Sequence, residues 1–170
     1  MISSKKLVFH KNHLWLLVGF LSLITLGFLR EYIFEGINAY LGALYYQHEN
    51  PSARFGLGII EHLDYWQLFY LKFPLTLITA LLFFLISYLS LKKAFTSLPV
   101  LLYTSIFFGI IFLLSLTFYG LAYLMLPEKM YNVSRRLAEF IQSPLALMVL
   151  YPAFLILSKA DFTHSDRSSS

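Results

Sequence analysis

The sequence predicts an all-α integral membrane protein: four transmembrane helices, with an interfacial amphipathic helix between the first and the second. Three observations carry this. The 170 residues are 58% hydrophobic and 18% aromatic, with a mean hydropathy of +0.68. Only 13% are charged, against about 25% in an ordinary soluble domain. The apolar residues also gather into runs close to spanning length, divided by short polar or basic stretches.

Each element follows in order. Residues 1–12 form a basic segment with Lys5, Lys6 and Lys11, and residues 13–158 a single transmembrane domain. The first span is expected over about 13–30. A basic segment before an apolar run also describes a signal peptide, but the run ends in GFLREY without a small-residue cleavage site. An uncleaved helix is therefore expected. Its apolar core is about 16 residues against the usual ~20, which puts Arg30 at the far interface with its side chain snorkelling.

Residues 31–47 follow as the interfacial helix. At about 100° per residue, Glu31, Glu35, Asn38 and Gly42 share one face. Ile33, Ile37, Tyr40 and Leu44 lie opposite, flanked by Phe34 and Leu41. A narrow acidic stripe of this kind suits a helix lying in the headgroups, or one that turns its stripe toward protein. Pro51, Gly56 and Gly58 break regular structure, and 59–67 reads as a short amphipathic turn with Tyr65 and Trp66 in the interface belt.

The second span is expected over 67–91, with Lys72 and Pro74 in its opening turns and Lys92 and Lys93 at its end. After a tight connector at 94–99 comes the third, 100–126, about 40 Å long and so tilted or protruding. Residues 127–134 read as a loop. The fourth span is expected over 135–157, with Pro144 and Pro152 inside it and Ser134 as its N-cap. The cap is preferred to a glycosylation reading of Asn132-Val133-Ser134. Ser105 and Gly109 form a small-xxx-small pair expected to carry helix packing. Residues 159–170 read as a disordered polar tail.

With both termini inside, seven basic residues lie inside and six outside. The basic N-terminus and the Lys92–Lys93 connector tip this toward N-in, C-in, in a bacterial inner membrane. The net charge of +4 is small and clustered at the ends of apolar runs, which excludes a nucleic-acid partner. With no cysteine, disulfides, a thiol nucleophile and cysteine metal sites are excluded.

No catalytic residue, metal or cofactor is expected. Glu61, His62 and Asp64 do not converge from adjacent helical positions, and no second histidine stands at i+4. His10 and His13 flank the first span, and no GxSxG, HExxH or glycine-rich phosphate loop occurs. The polar residues that gather at one outer interface are Arg30, Glu31, Glu35, Asn38, Lys72, Arg135, Arg136 and Glu139. Arg135 and Glu139 stand at i, i+4, where they pair or form an anion, lipid-headgroup or docking site. The Glu31/Glu35/Asn38 stripe is expected to face protein, with Arg135 or Arg136 as its basic counterpart.

Three stretches, FLREYIF at 28–34, LKFPLTLITALLFFLISYLSL at 71–91 and SRRLAEFIQSPLAL at 134–147, resemble in layout the small bacterial membrane proteins encoded beside exosortases. The resemblance implies an accessory role in protein sorting or surface export. It does not imply exosortase catalysis, which uses a cysteine nucleophile. The expected function is a non-catalytic accessory subunit of a membrane complex, with membrane lipids and an integral membrane protein as partners. The alternative is a small enzyme or carrier whose Arg30, Lys72, Arg135 and Arg136 bind an anionic lipid or isoprenoid-phosphate headgroup.

Overall fold

In a computed structural model, the described backbone covers residues 3–47, 58–96, 98–124 and 127–167, with side chains described only between 14 and 158. The break expected at Pro51 and Gly56 lies outside the described residues. Among the described residues the chain is all-helical: α1 (Ser3–Tyr46), a 3-10 turn (Gly58–His62), α2 (Tyr65–Ala94), α3 (Val100–Leu124), α4 (Pro127–Ile141) and α5 (Leu145–Arg167). Three helices are long and apolar enough to cross a membrane: Leu14–Tyr46, α2 and α3. α4 and α5 pass the same test together as one broken pair, bent by 64°.

The first span and the interfacial helix are not separate elements. α1 runs 44 residues without interruption, about 66 Å, through the Arg30–Glu31 boundary where the sequence had suggested a break. No proline precedes Pro51, and isolated glycines such as Gly36 and Gly42 cost a helix only about 1 kcal/mol each. α1 stops at Gln47, which takes a left-handed φ of 55° usually left to glycine at a helix C-terminus.

The chain divides into two compact units, Met1–Ile24 with Leu82–Ser170, and Thr25–Leu81. In the second unit, Ile37, Tyr40 and Leu41 of α1 are buried with Ile60 and Leu68. Ile33, Leu63, Tyr65, Phe69 and Leu75 pack around them. The apolar face of the 31–47 segment is thus covered by protein, although Leu44 remains exposed. α2 begins with a capping arrangement in which Asp64 N–H donates to Gln67 Oε1 at 3.1 Å. It starts at Tyr65, so Pro74 stands in its interior and not in its first turn.

In the first unit the backbones of α1 and α2 come close at Gly19 and Ser90. A Cβ added to Gly19 would stand 2.8 Å from the Ser90 Cβ and run into its hydroxyl. α2 and α3 are joined by the expected tight connector, in which Phe95 N–H donates to Leu91 O at 2.8 Å. They meet through Phe84 and Phe108, whose ring centroids lie 5.4 Å apart. α4 runs antiparallel to α3, with Tyr119 against Tyr131 at 6.3 Å and Phe107 against Phe140 at 6.3 Å. Beyond the bend, Phe154 of α5 lies 5.9 Å from Tyr103 and 5.5 Å from Phe95.

Several expectations change here. The 127–134 stretch is helix, opened by Pro127 at a first-turn position where its missing N–H costs nothing. Ser134 is therefore not an N-cap but a buried residue inside α4. The fourth span is not continuous, because the helix breaks at 142–144. Pro144 cannot donate a backbone bond, and it disfavours a helical conformation at Ser143. Residues 159–167 are helical and not an irregular tail. The helix packing expected of Ser105 and Gly109 is absent: Ser105 is exposed and a Cβ on Gly109 would meet nothing within 4 Å. Close packing falls instead at Gly19–Ser90.

Candidate functional site

The outer polar group predicted from sequence resolves into two clusters, one in each unit. In the Thr25–Leu81 unit, Lys72 Nζ donates to Asn38 Oδ1 at 2.8 Å, tying α2 to α1. The Arg30 guanidinium lies over the Phe34 ring, 5.0 Å from its centroid. That placement lets a cation one turn away rest on an aromatic face. Glu31 and Glu35 are exposed, one turn apart, on the side of α1 away from Ile37 and Tyr40. The wall beside Lys72 is aromatic. Tyr65 stacks on Phe69 at 6.5 Å, Trp66 on Tyr70 at 6.3 Å, and Tyr45 reaches Tyr65 from α1 at 6.3 Å. Such a belt suits the water–lipid boundary.

In the other unit, Arg135 Nε donates to Glu139 Oε1 at 2.8 Å across one turn of α4. Their side chains are 65% and 40% exposed, so the pair is a surface pair of small energetic weight. Arg136 is exposed beside it. Within each unit, the structure gives Asn38 to Lys72 and Arg135 to Glu139.

Sequence reasoning missed the polar contacts that hold α4 to α3. Ser115 Oγ donates to Ser134 O at 3.0 Å, and Ser134 Oγ donates to Ser115 O at 2.8 Å. Both serines are buried. The arrangement closes two helices with reciprocal bonds to carbonyls already engaged in their own helices, which leaves no group orphaned. The signal was present as one of two serines, Ser105 and Ser115, in a charge-free span, with a serine in the next helix, but nothing in the sequence fixes that register.

The break between α4 and α5 is the other unforeseen feature. Gln142 is buried there. Ser143 serves both helix ends: its hydroxyl donates to Phe140 O at 2.7 Å and accepts from Leu145 N–H at 3.3 Å. Ala146 N–H donates to Ser143 O at 3.3 Å. His62 and Asp64 are both exposed. Among the described residues, no three His, Cys, Asp or Glu side chains gather in a way that could hold a metal ion.

These features can hold a helix or a charged group, and they show two ways of satisfying polar groups between and within apolar helices. No protein-family model, no curated protein and no solved structure matches this chain.

Proposed function

We propose that this chain is a four-span membrane protein, N-in and C-in, that serves as a non-catalytic accessory subunit of a larger membrane complex. The spans are the Leu14–Tyr46 part of α1, α2, α3, and α4–α5 taken together as one broken crossing. The observation that carries the reading is how little the spans cover one another. Only 11% of the best apolar stretch of α1 is buried inside the protein, against 33% for α2 and 22% for α3. α1 therefore offers most of its surface to something else, and its outward face carries Glu31 and Glu35 beside Phe28 and Tyr32. A purely lipid-facing helix has no use for two carboxylates. The resemblance to exosortase-associated proteins suggests protein sorting or surface export as the setting for that complex.

Purification of the chain from its native membrane under mild detergent tests this. A stoichiometric integral membrane protein is the expected result. Recovery of the chain alone, with bound phospholipid or lipid phosphate that it turns over, refutes the reading in favour of a lipid-acting enzyme or carrier. Topology is checked with single cysteines at positions 47 and 96, which should label from opposite sides of the membrane.

A further inference from the structure

α1 and α2 share a register in the Thr25–Leu81 unit. Asn38 meets Lys72, Tyr45 meets Tyr65, and Leu41 shares a buried cluster with Leu68. Positions level with each other therefore have numbers summing to about 110, as expected of two antiparallel helices of equal rise. α2 in turn marks the membrane. From Phe73 to Leu91 it has no charged residue, and it is bracketed by Lys72 on one side and Lys92 and Lys93 on the other. Those residues span about 28 Å, the thickness of a hydrocarbon core. Asn38 and Lys72 thus stand at one edge of that core. Glu31, seven residues nearer the N-terminus of α1, lies about 10 Å inside it, and Glu35 about 4 Å inside.

Neither carboxylate has a hydrogen bond or ion pair among the described residues, and both are exposed. Phe28 stands at i−3 from Glu31 and Tyr32 at i−3 from Glu35, next to the two carboxylates, with exposures of 69% and 47%. A carboxylate at that depth costs a few kcal/mol unless it is paired or reaches water. The side of α1 opposite this face is already taken by the protein, at Ile37 and Tyr40. α1 is also the least covered of the three spans.

We infer that the α1 face bearing Phe28, Glu31, Tyr32 and Glu35 is the docking surface for a transmembrane helix of a partner protein, and that this helix carries a lysine or arginine in its outer third. Charge complementarity selects the occupant. An apolar helix or an acyl chain leaves Glu31 unpaired, whereas an intramembrane cation neutralises it and is itself neutralised. The aromatic rings along one edge of that face supply the apolar contact. The inference rests on the accessory-subunit reading and names how the partner is held.

The test is photo-crosslinking of the full chain in its native membrane. A benzophenone analogue of phenylalanine replaces Phe28, and a control replaces Leu113 of α3, which is 63% exposed. Position 28 should capture one integral membrane protein, and mapping should find Lys or Arg within one turn of the captured residue. Glu31→Lys should reduce that capture about tenfold or more, equivalent to at least about 1.4 kcal/mol. Reversing the mapped cation of the partner to Glu should restore it. Glu31→Gln adds no cation, so it separates loss of docking from loss of folding: capture should fall while the thermal midpoint stays put. The inference is overturned if position 28 captures only lipid, a second copy of this chain, or a helix without a cation. Unchanged capture by Glu31→Gln also overturns it. If a partner co-purifies stoichiometrically but ignores Glu31, the accessory reading stands and this surface is wrong. If no partner co-purifies, that reading itself has failed.

Discussion

Gly19 and Ser90 offer the sharpest test of the helix packing. Gly19→Ala would place a Cβ 2.8 Å from the Ser90 Cβ, where carbons rest at about 3.5–4.0 Å. The two helices must then part by about 1 Å. Overpacking of this kind costs about 1–3 kcal/mol, and alanine returns about 1 kcal/mol through its better helix propensity. The net expected loss is about 1 kcal/mol, rising to about 2–3 kcal/mol for Gly19→Leu. For a chain of this size, each 1 kcal/mol moves the midpoint by about 2–4 °C. Ser90→Gly removes the obstacle, so the double variant Gly19→Ala/Ser90→Gly should show a favourable coupling of about 1–2 kcal/mol. Thermal unfolding in detergent micelles, followed by circular dichroism, reads all four corners of the cycle. If Gly19→Ala is as stable as the wild type and the double variant is additive within about 0.5 kcal/mol, the helices do not approach at this point.

Four further outcomes can be checked by the same measurement. Ser115→Ala or Ser134→Ala removes interhelical bonds that average about 0.6 kcal/mol each in membrane proteins, so each should cost about 1 kcal/mol. Ser143→Ala loses both bonds of its hydroxyl and leaves Phe140 O and Leu145 N–H to find other partners. It should cost about 1–3 kcal/mol, more than either serine clamp variant, and an unchanged midpoint would count against the break as described. Among the described residues, the buried hydroxyls of Ser87 and Thr104 have no hydrogen-bond partner, so Thr104→Val should be neutral or raise the midpoint; a fall of several degrees would reveal a partner. Arg135→Ala breaks an exposed one-turn pair and should change stability by about 0.5 kcal/mol or less.

The parts of the fold legible in sequence were those with chemical edges. α2 and α3 fell where the apolar runs lay, because Lys92, Lys93 and Pro99 mark a boundary in composition and in backbone at once. α1 misled for the opposite reason. Arg30 and Glu31 change the chemistry of the helix surface but not its backbone, and an α-helix has no reason to stop where its side chains turn polar. Conversely, Gln142, Ser143 and Pro144 stand between the polar helix face of 135–141 and the apolar run from Leu145, and a proline that reads as a kink inside one span is in fact a backbone break. The partners of the charged residues depended on register: Lys72 finds Asn38 thirty-four positions away. One-turn pairs such as Arg135–Glu139 need no register and were readable directly.

The bend between α4 and α5 also bears on hydrophobic mismatch. Drawn straight, Lys129–Ser158 would make a rod of about 45 Å, half again the thickness of a typical hydrocarbon core. With the 64° turn, Lys129–Ile141 contributes about 20 Å along its own axis, and Leu145–Ser158 adds only about 9 Å along that direction. Measured along the first helix, the pair then reaches about 29 Å, the length of a typical hydrocarbon core. A chain that had to tilt to fit would carry a tilt that changes with lipid thickness. Ser115 and Ser134 tie α3 to α4, so α3 cannot rock by itself, and the corner at 142–144 is where the joined helices would take up a change in lipid thickness.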